Sequence, residues 1–121
     1  MTTVMIVDDD QTMTSLLSTL LQLDGYDVLQ ASSKDGFLTQ VADGIPDAIL
    51  MDVFIGEADG LDLVQQLRAS TRRELAKVPV IMTSGMDLAE QCKKAGANAF
   101  LLKPYDPEQL LGVIHKHLGD G

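Results

Sequence analysis

Ala48-Ile49-Leu50-Met51-Asp52 runs four apolar residues straight into a carboxylate. Gly44 and Pro46 precede the run and Gly56 follows it, so turn residues bound it on both sides. An apolar run of this length between turn signals predicts a strand buried on both faces, as in a parallel sheet. An aspartate at the C-terminal end of such a strand sits at the mouth of an α/β sheet, where ligands bind in this architecture. Asp52 is therefore either a cap for the following turn or helix, or a reactive group. The rest of the chain must decide which.

Four more strand patterns accompany it. Val4-Met5-Ile6-Val7 runs into Asp8-Asp9-Asp10, and Tyr26 to Ala31 reads as a second strand. Val78-Pro79-Val80-Ile81-Met82 leads to Thr83-Ser84-Gly85, and Ala99-Phe100-Leu101-Leu102 leads to Lys103-Pro104. Helical patterns separate them. Met13, Leu16, Leu17, Leu20, Leu21 and Leu23 form an apolar stripe, and Gly25 is the expected stop. Ser32 or Ser33 can cap a second helix through Val41. Leu61, Leu63, Val64 and Leu67 share one face of a third, read as running to about Leu75. Asp87 can cap a short fourth helix to Lys94, with Gly96 after it. Asp106-Pro107-Glu108-Gln109 is a strong helix start: a good N-cap, proline at the first position and a glutamine able to close a capping box. Leu110, Leu111, Ile114 and Leu118 give that last helix its buried stripe. Five alternations of strand and helix predict a doubly wound five-stranded parallel sheet with right-handed crossovers. Residues 1–121 are expected to form one domain, with Gly119-Asp120-Gly121 as a fraying tail.

Composition narrows the function classes. The net charge is -9, and the basic residues form only the short groups Arg72-Arg73 and Lys93-Lys94. Neutralising phosphates of a nucleic acid needs clustered Lys and Arg, so direct nucleic-acid binding is not expected. Cys92 is the lone cysteine, which fits a reducing compartment and reads as inert. No basic segment followed by a long apolar stretch opens the chain, and no apolar run reaches membrane length, so the expectation is a soluble cytoplasmic protein without a membrane partner.

All strand C-termini of a parallel sheet share one edge. That edge would collect Asp8, Asp9, Asp52, Ser84 and Lys103. Carboxylates crowded on adjacent strand ends repel unless a cation neutralises them or they take up protons. Hard oxygen donors in a compact acidic pocket favour Mg²⁺. Ser84 offers a hydroxyl and Lys103 an ammonium, both suited to a phosphoryl group. A metal, a carboxylate nucleophile, a hydroxyl and a lysine together describe phosphoryl transfer onto aspartate. There is no Gly-rich phosphate loop, Ser/His/Asp arrangement or Cys/His metal motif. His115 and His117 fit a helix C-terminus, where the dipole favours them.

Taken in order and spacing, Val7-Asp8-Asp9-Asp10, Leu50-Met51-Asp52, Asp59-Gly60, Pro79-Val80-Ile81-Met82-Thr83-Ser84-Gly85, Gly96-Ala97 and Leu102-Lys103-Pro104 resemble the motifs of response-regulator receiver domains, over essentially the whole chain. The resemblance implies a CheY-like, flavodoxin-like (βα)5 fold with strand order 2-1-3-4-5. It implies a phosphorylated signalling domain of a two-component phosphorelay, not an enzyme beyond self-phosphorylation and self-dephosphorylation. Asp52 would take phosphate from a sensor histidine kinase or phosphotransfer protein. Asp9, Asp52 and the Phe54 backbone carbonyl would hold Mg²⁺, with Asp8 helping through water. Ser84 would be the switch hydroxyl, Lys103 the phosphate-binding lysine and Phe100 the rotating aromatic. The Lys103-Pro104 bond is commonly cis in the family, a turn that would aim Lys103 inward. The output would be carried by the face of the fourth helix, fifth strand and last helix. Its partner would be a downstream protein, a fused output domain or a phosphorylation-dependent second copy. Both a single-domain regulator and a receiver cut from a longer protein fit.

Some positions depart from the family pattern. Gly56 stands where the family often has proline, which predicts a looser loop after Asp52. The spacing from Asp52 to Ser84 is slightly long, which lengthens the third helix or its exit at Arg72 to Lys77. The spacing from Ser84 to Lys103 is short by about one helical turn. Phe54 and Met86 occupy the variable positions that flank the phosphate. Their apolar side chains are expected to restrict the attacking water and prolong the phosphorylated state.

Plainer readings compete. Asp8 to Asp10 could simply cap the first helix, which accounts for one aspartate of the three. Met13, Met51 and Met82 are core, and Phe100 could be ordinary packing. Asp8-Asp9-Asp10-Gln11-Thr12 also matches the Asp-x-Asp-x-Thr signature of haloacid-dehalogenase-like phosphatases, with Asp8 as nucleophile and Asp10 as acid/base. That reading leaves Asp52 without a role and needs a further acidic pair beyond Lys103. A phosphorylation-independent pseudo-receiver acting as a binding module is the third alternative, which the intact site residues do not require.

Overall fold

The computed structural model describes residues 2–118; Met1 and the tail at 119–121 expected to fray lie outside them. In chain order the elements are β1 (Thr3–Val7), α1 (Gln11–Leu23), β2 (Asp27–Ala31), α2 (Lys34–Asp43), β3 (Ala48–Asp52), β4 (Phe54–Ile55), β5 (Ala58–Asp59), α3 (Gly60–Arg68), α4 (Arg73–Lys77), β6 (Val80–Ser84), α5 (Ala89–Ala95), β7 (Ala99–Leu102) and α6 (Pro107–Leu118). One sheet has the order β2-β1-β3-β6-β7, and every pairing in it is parallel. Numbered among themselves, these five strands run 2-1-3-4-5, the doubly wound flavodoxin-like order.

Side-chain alternation along the strands builds two cores. Val4, Ile6, Leu50 and Ile81 face Leu17 and Leu21 of α1 and Leu110 and Ile114 of α6. Met5, Val7, Ile49, Met51, Val80 and Met82 face the other way, toward Phe37 and Val41 of α2, Leu63, Val64 and Leu67 of α3, and Cys92 and Ala95 of α5. Each fully buried aliphatic side chain of this kind stabilises the fold by roughly 1.5–3 kcal/mol. Both faces of the central strands are covered, which explains why β1, β3 and β6 read as continuous apolar runs.

Helix starts follow the cap chemistry. Asp10 is the N-cap of α1 and accepts from the Met13 N–H at 3.1 Å. Ser33, not Ser32, caps α2 through the Gly36 N–H. The Asp106 N–H donates to Gln109 Oε1 at 2.8 Å, the reciprocal half of a capping box. Asp87 lies one residue ahead of the N-cap of α5, which is Leu88, yet still accepts from the Ala89 N–H at 3.3 Å.

Three expectations need correcting. The helix read as reaching Leu75 ends at Arg68, and a separate single-turn helix, α4, follows. Ser70 accounts for the break: its hydroxyl accepts from the Arg72 N–H at 3.1 Å, a local bond that competes with the helix. Arg68 then ties the pieces together. Its guanidinium donates to the carbonyls of Gly96 (2.9 Å), Ala76 (3.1 Å) and Val78 (2.8 Å) and to Asn98 Oδ1 (2.8 Å). Second, the apolar stripe of α1 is wider than its buried face. Leu17 and Leu21 are buried with Thr14 and Ser18, while Leu16 and Leu23 stand in solvent. Third, the stretch after Asp52 is not a loose loop but the antiparallel β4–β5 hairpin, pairing Phe54 with Asp59 and Ile55 with Ala58.

Gly60 closes that hairpin onto α3. Its N–H donates to the Val53 carbonyl at 2.7 Å, and a Cβ there would lie 2.6 Å from the Asp52 carbonyl oxygen. Backbone cannot retreat as a flexible side chain can. Gly60→Ala is expected to destabilise the fold by about 1–3 kcal/mol in urea unfolding. Gly112→Ala, in open space on α6, is expected to stabilise it by about 0.5–1 kcal/mol.

Candidate functional site

The parallel register delivers polar groups to one sheet edge. Asp8 follows β1, Asp52 ends β3, Ser84 ends β6 and Lys103 follows β7. Their strands are adjacent, since β1 pairs with β3, β3 with β6 and β6 with β7. Lys103 is steered by its own backbone, whose N–H donates to the Ser84 carbonyl at 2.8 Å. The Lys103-Pro104 peptide is cis, as the resemblance implied.

Lys103 Nζ lies 2.7 Å from Asp52 Oδ2 and 3.5 Å from Asp8 Oδ2. Burial alone would lower the Lys103 pKa, but the hydrogen bond and charge of Asp52 and the charge of Asp8 hold it above the ordinary lysine value. Asp8 is 4% exposed. Its carboxyl is pushed above the ordinary aspartate value, chiefly by burial and further by the charge of Asp52, against the opposing pull of the Asp10 N–H and Lys103. Asp52 has its second oxygen occupied as well: Oδ1 accepts from the Phe54 N–H at 3.0 Å.

The acidic triplet is divided among three tasks. Asp8 faces Lys103 and accepts from the Asp10 N–H at 2.9 Å. Asp10 caps α1, which occupies the carboxylate that a haloacid-dehalogenase-like mechanism needs as its acid/base. Asp9 is exposed, and its Oδ2 accepts from the Gly56 N–H of the hairpin at 2.9 Å. Among the described residues, no three Asp, Glu, His or Cys side chains converge on one metal-sized point.

Ser84 is buried, and its Oγ accepts from the Met86 N–H at 3.0 Å, leaving its own O–H to donate elsewhere. Phe100 is half-buried and packs on the core that holds Cys92 and Ala95. Phe54 and Met86 are 52% and 60% exposed. Cys92 is fully buried, and burial raises its thiol pKa, which disfavours the reactive thiolate. His115 pairs with Asp24 at 2.7 Å across α6 and the end of α1, away from this edge.

Two neighbours were invisible in the sequence. Tyr105 follows the Lys103-Pro104 turn, and its phenol is pushed up to about 12, first by burial. The Gly56 N–H that reaches Asp9 comes from 47 positions away in the chain, and no pattern announces it.

The donors suit a small divalent cation. Two carboxylates share a single ammonium, and the buried one has an elevated pKa, so burial of its charge is not fully offset. Carboxylate and carbonyl oxygens are the ligands that Mg²⁺ takes.

Comparison with known proteins adds to this geometry. The family model "Response regulator receiver domain" matches residues 4–115. Nitrogen assimilation regulatory protein NtrX of Azorhizobium caulinodans is 31% identical over 95% of this chain, which spans only 26% of NtrX. Protein PilG of Pseudomonas aeruginosa is 34% identical, over 95% of this chain and 86% of PilG. A response regulator from Chloroflexus aurantiacus of known crystal structure superposes with a TM-score of 0.88 at 33% identity, covering 97% of each chain.

The Asp8 environment has a pH signature. Because its folded pKa is raised above 3.8, the charged carboxylate costs stability at neutral pH. That cost disappears as pH falls through the folded value toward the unfolded one. Asp8→Asn is expected to raise stability at about pH 7 in EDTA. The gain should shrink as the pH is lowered toward about 4, read by urea unfolding at each pH.

Proposed function

Because the chain belongs to the response regulator receiver domain family, we propose that it is a phosphoacceptor module whose Asp52 takes a phosphoryl group from a histidine kinase or a phosphotransfer protein. Phosphorylation and magnesium binding are general properties of that family. The observation that carries the assignment to Asp52 is its 2.7 Å contact with Lys103 at the end of a fully buried strand, beside the buried Asp8.

In this reading one Asp52 carboxylate oxygen attacks phosphorus as the phosphorus–nitrogen bond of the phosphohistidine breaks. The leaving imidazole nitrogen keeps the electron pair. Lys103, positive across neutral pH, exchanges its contact with Asp52 for one with a phosphoryl oxygen. Asp9, Asp52 and the Phe54 carbonyl would hold Mg²⁺, with Asp8 acting through water, and the ion would draw charge from the phosphoryl oxygens. The Ser84 hydroxyl, on the strand adjacent to Asp52, donates its proton to another phosphoryl oxygen.

The phosphorylated aspartate carries about two negative charges. Ser84 and the loop after it move toward that charge, and half-buried Phe100 turns inward. The face formed by α5, β7 and α6 then changes its affinity for a kinase, a downstream protein, a fused output domain or a second copy. This is a shift between two populations, limited by how much better one of them accommodates the phosphoryl group. The whole residues 1–121 act as one receiver, with chemistry confined to its own phosphorylation and dephosphorylation.

Incubation with acetyl phosphate and Mg²⁺ is expected to add one phosphoryl group, seen by intact mass. EDTA and Asp52→Asn should abolish the addition, and Asp10→Ala should keep it. Multiple turnover that survives Asp52→Asn and requires Asp8 would instead make the protein a phosphatase. Exposed Phe54 and Met86 flank the site and are assigned to limiting water. Phe54→Asn and Met86→Glu should each hasten decay of the phosphorylated form by about fivefold, on the order of 1 kcal/mol in the barrier. Unchanged decay in both would remove that assignment.

A further inference from the structure

We propose that the Gly56 amide is a positioning group that competes with magnesium for Asp9: the β4–β5 hairpin holds the carboxylate when no ion is bound and yields it when the ion arrives. The inference rests on the reading of Asp9 as a metal ligand.

The contact is specific in kind. Gly56 N–H donates to Asp9 Oδ2 at 2.9 Å, and an amide bonded to a carboxylate is a charge-assisted pair with a defined direction. Asp8 and Asp10 are held differently, by Lys103 and by the first turn of α1. Asp9 is thus restrained by a group that the ion's other proposed ligand, the Phe54 carbonyl, shares a hairpin with.

The turn depends on glycine. Gly56 has φ +60, and no residue other than glycine has a positive φ among the described residues. A two-residue loop, Gly56-Glu57, with only its first residue in the left-handed region is the type II′ pattern, which takes glycine at that place. Proline there would supply neither this φ nor an N–H.

The hairpin is the fixed partner and Asp9 the movable one. Ile55 is buried in the core, the Val53 N–H donates to the Thr83 carbonyl at 2.9 Å, and the Gly60 N–H donates to Val53 at 2.7 Å. Asp59 caps α3 from the hairpin's end. Asp9 is an exposed side chain on the connection between β1 and α1. Mg²⁺ demands oxygen ligands near 2.0–2.1 Å in close to octahedral order. In the proposal the ion takes the same Asp9 oxygen, Oδ2, that the Gly56 amide holds, so its binding draws that oxygen off the amide.

The test is solvent exchange of backbone amides in the ¹⁵N-labelled chain during an Mg²⁺ titration. The Gly56 amide should be protected in EDTA and should exchange about tenfold faster at saturation, along the same binding curve as the Asp8 and Asp52 signals. In Asp9→Ala it should exchange fast even in EDTA. If Mg²⁺ moves Asp8 and Asp52 but Gly56 stays protected, or if Asp9→Ala leaves it protected in EDTA, the latch is overturned while the metal site stands. If Mg²⁺ moves none of these signals, the metal assignment falls and the latch with it.

Discussion

Lys103 faces two carboxylates that come from different strands, at 2.7 Å from Asp52 and 3.5 Å from Asp8. Neither carboxylate could sit so deep without that ammonium, because an unpaired buried charge costs several kcal/mol. The pairing in turn demands that the ends of β1, β3 and β7 lie at one edge and at one height. Parallel registers across β1, β3, β6 and β7 meet that demand, and the two cores on either side of the sheet hold the registers in place. One ammonium against two carboxylates still leaves negative charge in the cleft. The elevated pKa of Asp8 reflects its burial first, and the charge of Asp52 adds to it.

Around this charged centre, order and freedom are unevenly distributed. Asp8 and Ser84 are buried, and both Asp52 oxygens are bonded. The groups at the rim are exposed: Asp9, Phe54 and Met86. Reacting atoms are therefore held by buried strands, while the groups assigned to ion capture and to water access stand where they can move. Ser84 connects the two zones through its bond to the Met86 N–H, the first step into the segment that leads to α5.

The three central strands were legible because a parallel strand buried on both faces leaves no choice but an apolar run, as in Ile49-Leu50-Met51, whereas the edge strands β2 and β7 are partly exposed. The site was legible because polar residues cluster where those runs end. Helix starts were legible for the same local reason, through the side chains of Asp10 and Ser33 and through Gln109, which accepts from the Asp106 N–H. What escaped was set by distant contacts. Leu16 and Leu23 belong to the same stripe as Leu17 and Leu21, and periodicity has no means of telling a solvent-facing leucine from a core one. The break after Arg68 depends on a serine side chain bonding locally, and the hairpin depends on a glycine turn that reads simply as flexible. Arg68 gave no signal at all, since an arginine in the last turn of a helix ordinarily suggests a surface charge.

That arginine has a consequence for how the molecule can vary. Its guanidinium grips the exit of α4 at Ala76 and Val78 and the turn before β7 at Gly96 and Asn98, and Asn98 Oδ1 also accepts from the Val80 N–H that opens β6. The chain from Ser70 to Leu75 lies between the two grips of this knot, with Leu75 packed in the core and Arg72 donating to the Val41 carbonyl at 3.0 Å. Chain length gained or lost in that segment is absorbed before it reaches β6, so the far edge of the sheet keeps its register. The fold thus contains a place where family members can diverge in size without their chemistry being disturbed.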